Sequence, residues 1–325
     1  TMSGSNFTYT APGDVVGLSS GVVDVTAGET HTCALMNTGG VKCWGACAGP
    51  CGAGVATPID IPGLTSGVAQ VAAGEMHTCA LMKTGTVKCW GTGGEFEASP
   101  DFMATTPTDV PGLAKATAIA SGDGYACALL GGAAQCWGGN MLGELGSGSN
   151  VPSDSPMPLP VSGLASGVTA LAPLGGSQTC AIVKGGALQC WGSNDHGQLG
   201  NGNAGAYSAT PMTVTGLGSG VTAAAASGEW NACAVVSGGV RCWGDGTYGQ
   251  LGNGMVTASN VPVPVTGLGS GIVDVVTGDV HGCARTSKGV VQCWGVGVAV
   301  SPSCAGCANN GLGGCCTQPV VIAGL

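Results

Sequence analysis

Charge is what this chain has least of. Of its 325 residues, 8 are Lys or Arg and 17 are Asp or Glu, 8% in all, against about 25% in ordinary globular chains. So few basic residues cannot form a phosphate-binding stripe. The net charge of −9 points the same way, and nucleic acid is not an expected partner. Disorder of the highly charged kind is excluded too; the surface is expected to carry Thr, Ser, Asn and Gly instead. Apolar runs of helix length are absent, so no membrane span is expected. There is no nucleophile elbow, phosphate loop or zinc-protease helix. No catalytic residue, cofactor or metal is expected, and the chain is read as a non-enzyme.

Glycine and cysteine are abundant, 63 and 18 residues. The glycines keep no Gly-X-Y register, which excludes collagen. They recur at fixed places in a repeat, which points to turns rather than a linker. The repeat is legible in Thr30-His31-Thr32-Cys33-Ala34-Leu35-Met36, a short turn, and Val41-Lys42-Cys43-Trp44-Gly45. It reads as a strand, a tight reversal, and a second strand returning a cysteine to face the first. Five further copies carry Cys79 and Cys89, Cys127 and Cys136, Cys180 and Cys190, Cys233 and Cys242, and Cys283 and Cys293. Every second cysteine is followed by Trp-Gly, at Trp44, Trp90, Trp137, Trp191, Trp243 and Trp294. The first cysteines recur every 46 to 53 residues, the period of a propeller or solenoid.

Each unit opens on alternating apolar residues such as Val22-Val23-Asp24-Val25, a half-buried strand. Five residues before the first cysteine stands a glycine (Gly28, Gly74, Gly122, Gly175, Gly228, Gly278), expected to supply positive φ to a turn. Each unit closes on a Pro-containing edge strand, for example Thr57 to Leu64. Four strands per unit make a propeller blade. The predicted fold is all-β: a β-propeller of six four-stranded blades over 19–325, at about 19–64, 65–113, 114–164, 165–217, 218–268 and 269–325. Residues 1–18 form an N-terminal extension. There Asp14-Val15-Val16-Gly17-Leu18 repeats the closing phrase, so seven closers accompany six hairpins. One strand is surplus, an additional N-terminal strand.

Twelve regularly placed cysteines fit six disulfides within blades, formed in an oxidising compartment. The chain is expected to be extracellular or at a cell surface. No signal peptide is visible at Thr1, so it is expected to be the processed form of a secreted precursor. Cys47, Cys51, Cys304, Cys307, Cys315 and Cys316 fall outside the repeat, in blades one and six. They are expected to form further disulfides stiffening the seam of the ring, Cys47 with Cys51 as the local pair.

The loops after Trp-Gly include Asp195-His196-Gly197-Gln198-Leu199-Gly200-Asn201-Gly202 and Tyr248-Gly249-Gln250-Leu251-Gly252-Asn253-Gly254. Blade three has Gly143-Glu144-Leu145-Gly146 and blade six Asn310-Gly311-Leu312-Gly313. With Gly-x-x-His-Thr-Cys-Ala-Leu and Trp-Gly, this resembles the regulator of chromosome condensation repeat family over residues 19–325. The resemblance implies a β-propeller used for protein binding. Nuclear members of that family act as exchange factors for a small GTPase, and none of that activity maps onto residues here. Secreted, disulfide-rich bacterial propellers, one of which inhibits β-lactamases, are the nearer analogy in compartment.

His31, His77 and His281 share one position in blades that a closed ring makes neighbours. The other blades place Tyr125, Gln178 and Asn231 there, so a structural hydrogen bond inside each blade is expected rather than a metal site. Glu29, Glu75, Asp123, Glu229 and Asp279 follow the turn glycine; they read as solvated turn residues or as an acidic ring able to hold a cation or a basic partner. Asn6-Phe7-Thr8 is a glycosylation sequon. The surplus strand, Asp14 to Leu18, suggests strand donation to another copy and a head-to-tail homopolymer, a filament or surface layer. The alternative is a monomeric secreted propeller that binds another extracellular protein or a glycan through its loops; a piece of a longer surface protein is a third reading.

Overall fold

The computed structural model describes residues 13–46, 54–92, 103–172, 175–226, 230–297 and 315–322. Among these, 24 strands form six four-stranded antiparallel sheets, and no helix occurs. Blade one runs β1 (Val22–Ala27), β2 (His31–Met36), β3 (Val41–Gly45) and β4 (Val55–Asp60), hydrogen-bonded in that order. The other five repeat it, their first strands being β5 (Val68–Ala73), β9 (Ala118–Ser121), β13 (Val168–Leu171), β17 (Val221–Ala225) and β21 (Ile272–Thr277). The architecture is thus a six-bladed β-propeller.

The hairpin at the centre of each blade is set by its reversal. In blade one Met36 donates to Gly40 O and Gly39 to Met36 O, both at 2.8 Å, and Gly39 takes φ 80°. That register places Cys33 opposite Cys43, and they are bonded, as are Cys79–Cys89, Cys127–Cys136, Cys180–Cys190, Cys233–Cys242 and Cys283–Cys293. Their α-carbons lie 4.0–4.1 Å apart, the spacing of directly facing strand residues. Each small loop contributes about 2.5–3 kcal/mol in the chain-entropy account.

Immediately after the second cysteine the ladder slips. The register shifts between Cys43 and Gly45 and at the equivalent place in every blade, a β-bulge that re-aims a side chain. Gly45, Gly91, Gly138, Gly192, Gly244 and Gly295 hold φ between 90° and 113° there, a region costly for any other residue. The bulge turns the tryptophan out of its own sheet and into the blade before. Trp90, Trp137, Trp191, Trp243 and Trp294 are all buried, each in a core built with the preceding blade.

Among the described residues six blades make five such cores, and no described core joins blade six to blade one. The corresponding walls of these two blades are exposed. Val25 on β1 is 55% accessible, whereas its counterparts Val71 and Val275 are 5% and 2%. Val276 on β21 is 51% accessible against 0% for Ala225. Blade six keeps only a small residual core around Cys293 and Cys316. Each inner blade buries one side against its predecessor and the other against its successor, whereas one side of blade one and one side of blade six meet no other described blade.

Two expectations are corrected. Asp14 to Leu18 is not a strand. Leu18 donates to Val15 O at 3.0 Å with Gly17 at φ 84°, the turn that follows a closing strand, as in Leu64 to Ile61 O at 3.0 Å. Residues 1–12, including Asn6, lie outside the described residues, as do Cys47, Cys51, Cys304 and Cys307. Cys315 and Cys316 are buried on the last strand, β24 (Cys315–Val321), and disulfide-bonded. Secondly, Gly28, Gly74, Gly122 and Gly278 are not positive-φ residues. A β-carbon on Gly28 would strike the Gly74 carbonyl and the His31 ring, and one on Gly74 the Gly122 carbonyl and the His77 ring. Gly28 and Gly74 are there because the neighbouring blade approaches too closely for any side chain, while at Gly122 and Gly278 a β-carbon would strike the ring of Tyr125 or His281 in the same blade.

Candidate functional site

The close approach of those turns gathers side chains that the sequence scatters. In blades one, three, four and five the first residue of the second strand bonds across to the following blade, not within its own as expected. His31 Nε2 and Thr78 Oγ1 share a hydrogen bond of 2.7 Å. Tyr125 Oη donates to Gln178 O at 2.6 Å and accepts from Thr179 Oγ1 at 3.0 Å. Gln178 Nε2 donates to Asn231 O at 2.8 Å, and Asn231 Nδ2 to the carbonyls of Gly278 and Asp279 at 3.0 Å. Burial lowers the pKa of His31, and that of His77 falls to about 3 through burial and then the charge of His31. Both shifts favour the neutral ring at neutral pH. Burial also raises Tyr125 well above its ordinary value. From blade three to blade six these bonds run blade to blade, and on blade six His281 is exposed. Among the described residues, no three His, Cys, Asp or Glu side chains converge on a metal position.

Three of the five acidic turn residues meet at one mouth of the ring. Glu29 donates its amide to Glu75 O at 3.2 Å, binding the turns of blades one and two. The Glu75 carboxyl is hydrogen-bonded to Asp123 and to Glu29 and half-buried, and these contacts, with the repulsion of the two neighbours, push its pKa up to about 8. At neutral pH Glu75 therefore keeps its proton. Asp279 stands on blade six, apart from this group, and Glu229 lies outside the described residues.

A second element escaped sequence reasoning. The Gly-x-Leu-Gly loops are docks for the next tryptophan. Trp191 Nε1 donates to Glu144 O at 2.8 Å, Trp243 to Gln198 O at 2.7 Å and Trp294 to Gln250 O at 2.7 Å. Gly146, Gly200 and Gly252 lie flat on those indoles, where a β-carbon would collide with the ring. The signal was present: the loops of blades one and two lack the motif. There Trp90 and Trp137 are buried with their N–H groups unpaired. A cavity of about 350 Å³ opens between blades two and three, lined by Trp90, Trp137, Val110, Pro111, Pro156 and Met157.

The profile described as Regulator of chromosome condensation (RCC1) repeat matches residues 186–235 and 237–285. A second profile of the same description matches 22–48, 68–96 and 169–198. The chain is 34% identical over 203 residues to human E3 ubiquitin-protein ligase HERC2, across 59% of this chain and 4% of that protein. It is 33% identical over 187 residues to the Ultraviolet-B receptor UVR8 of Arabidopsis thaliana, across 56% of this chain and 42% of that one. The chain thus spans less than half the length of these relatives. In fold it is similar to yeast RCC1 (Prp20), solved bound to Kap60, with a TM-score of 0.75 and 22% identity over 93% of this chain and 74% of that one. Human WBSCR16 gives 0.79 at 21% identity, over 96% and 84%.

Proposed function

Because the chain belongs to the Regulator of chromosome condensation (RCC1) repeat family, we propose that it is a non-enzymatic, extracellular protein-binding propeller whose acidic mouth receives a basic segment of a partner protein. The observation that carries this reading is the Glu29–Glu75–Asp123 cluster, which holds a proton at Glu75 for want of a counter-charge. A Lys or Arg side chain supplies that charge, releases the proton and replaces a like-charge contact with an ion pair. Six disulfides within blades support an oxidising compartment. Yeast RCC1 was solved with a protein partner, which lends the binding role support from the fold.

The test is fluorescence anisotropy with a labelled oligolysine peptide at low salt. Binding is expected to tighten as pH rises from 6.5 to 9, while Glu75 ionises, to weaken with salt, and to lose its pH dependence in Glu75→Gln. Absence of binding, or binding unaffected by Glu75→Gln, refutes the reading. A self-assembling structural subunit is the second reading. The exposed Val15, Val16, Val23 and Val25 favour it, although strand donation by Asp14 to Leu18 no longer does.

A further inference from the structure

Each blade is an up-and-down antiparallel sheet, so its turns divide between the two faces of the propeller. The turn from first to second strand and the segment from third to fourth leave on one face, that of the acidic mouth. The reversal from second to third strand and the closing turn leave on the other. The charges divide with them. Lys42, Lys88, Arg241 and Arg285 stand within strands. The other four of the chain's eight cations, Lys83, Lys115, Lys184 and Lys288, stand in turns of the second face, and all are exposed. None of them is in an ion pair among the described residues. Asp60 and Asp109, which end fourth strands towards that face, are engaged by Lys42 and Lys88 at 2.8 and 2.9 Å; Asp14 is the one other carboxylate on that side among the described residues. The mouth face is the reverse. Glu29, Asp195 and Asp279 are exposed there, Glu75 and Asp123 partly so, and the segments joining its strands contain no Lys or Arg.

The lysine face is also a firm platform. One backbone bond ties each reversal to the opening of the next blade: Val68 to Gly39 O, Ala116 to Gly85 O, Val168 to Gly132 O, Val221 to Gly186 O and Ile272 to Gly238 O, at 2.9–3.0 Å. Lys83 and Lys184 donate their own amides within it, to Gly67 O and Gly167 O at 2.8 and 2.7 Å. Lys115 holds φ 65° at the place where Gly67, Gly167, Gly220 and Gly271 hold 76–82°, a region costly for any side chain. The charge is kept there against the conformational preference of its own backbone.

We propose that the basic partner of the acidic mouth is a second copy of this chain, whose lysine face seats on the mouth so that copies stack head to tail. The inference rests on the mouth being a binding surface and names what it binds. Charge complementarity selects this occupant: cations without counter-charge on one face meet carboxylates without counter-charge on the other. Two mouths, or two lysine faces, would set like charge against like. The contact therefore joins two different surfaces, and each seated copy presents a fresh mouth at one end of the stack and fresh lysines at the other. The net charge of −9 opposes association at long range, so stacking depends on the local match and is lost when salt screens it.

The test separates the two faces. One variant reverses the lysine face (Lys83→Glu, Lys184→Glu, Lys288→Glu), and another neutralises the mouth (Glu29→Gln, Glu75→Gln, Asp123→Asn). In sedimentation at low salt the parent is expected to grow in mass with concentration. Each variant alone is expected to stay a monomer, its association weakened about tenfold or more. Mixed, the two are expected to form one-to-one dimers and nothing larger, because the intact mouth of the first accepts the intact lysines of the second and neither can extend. Lys115→Gly is expected to weaken stacking while raising the melting temperature, since it removes a charge and relieves the backbone together. A parent that is monomeric at every concentration overturns the proposal, as do variants that far-UV circular dichroism shows to be folded and that do not pair when mixed. Oligolysine binding to the first variant reads its mouth alone. Binding there beside a monomeric parent overturns the stack and spares the mouth, whereas its absence refutes the mouth reading itself.

Discussion

Trp137 and Trp243 offer a controlled measurement of what a tryptophan dock contributes. Both occupy the same place after the bulge and are buried to 1% or less. They differ in one respect: Trp243 Nε1 donates to Gln198 O at 2.7 Å, and Trp137 Nε1 has no acceptor. Substitution by Phe removes the same atoms from the same kind of core, so the loss of packing largely cancels between the two variants. What remains is the hydrogen bond. Trp243→Phe forfeits a net bond of about 0.5–1.5 kcal/mol and leaves a buried carbonyl short of a donor. Trp137→Phe instead removes an unsatisfied donor whose burial costs about 1–3 kcal/mol. Trp243→Phe is therefore expected to destabilise by about 2–4 kcal/mol more than Trp137→Phe. Guanidinium unfolding of the oxidised proteins, followed by far-UV circular dichroism, reads the difference as a shift in midpoint at constant slope. Equal midpoints for the two variants would show that the loop carbonyl contributes nothing and that only the shape of the indole matters.

Three further outcomes are expected. Glu75 has a folded pKa of about 8 against an ordinary value of 4.5, so the folded chain holds the extra proton between those values. Its stabilising contribution is complete below about 4.5, declines as pH rises to 8, and is absent beyond; Glu75→Gln, scanned by thermal unfolding at pH 6 and 9, is expected to lessen the fall. His77 has the opposite sign: its folded pKa of about 3 lies below the ordinary value of 6.5. Its contribution is complete above 6.5 and lost as pH falls towards 3, so His77→Gln is expected to flatten the acid limb of the same scan. Gly74→Ala places a methyl group against the Gly122 carbonyl and the His77 ring and is expected to destabilise by about 1–3 kcal/mol. Gly63→Ala, at a turn with open space but φ 81°, is expected to cost about 1 kcal/mol, separating contact from conformation in the same unfolding assay.

What was written along the chain and what was not divide on a physical line. The cysteine pairs were legible because side chains alternate with period two and a short reversal leaves one register, so Cys33 can face only Cys43. The blades were legible because Trp-Gly marks the same bulge six times. Much of the acidic mouth was visible as a position in the repeat, but not which members meet. Glu29, Glu75 and Asp123 come together because three successive blades bring their turns into contact, whereas Asp279 is carried to the far end of the ring.

Pairing within a blade is a matter of neighbours in sequence, and the residues alone determined it. How blades face one another depends on the angle accumulated from sheet to sheet, which no single repeat encodes. Tertiary structure alone therefore decided that His31 reaches Thr78 in the next blade, that Gly74 is small to admit a neighbour, and that Asp14 to Leu18 turns. It also decided that Val25 on blade one and Val276 on blade six stay exposed where their counterparts in other blades are covered, because no other described blade packs on those faces.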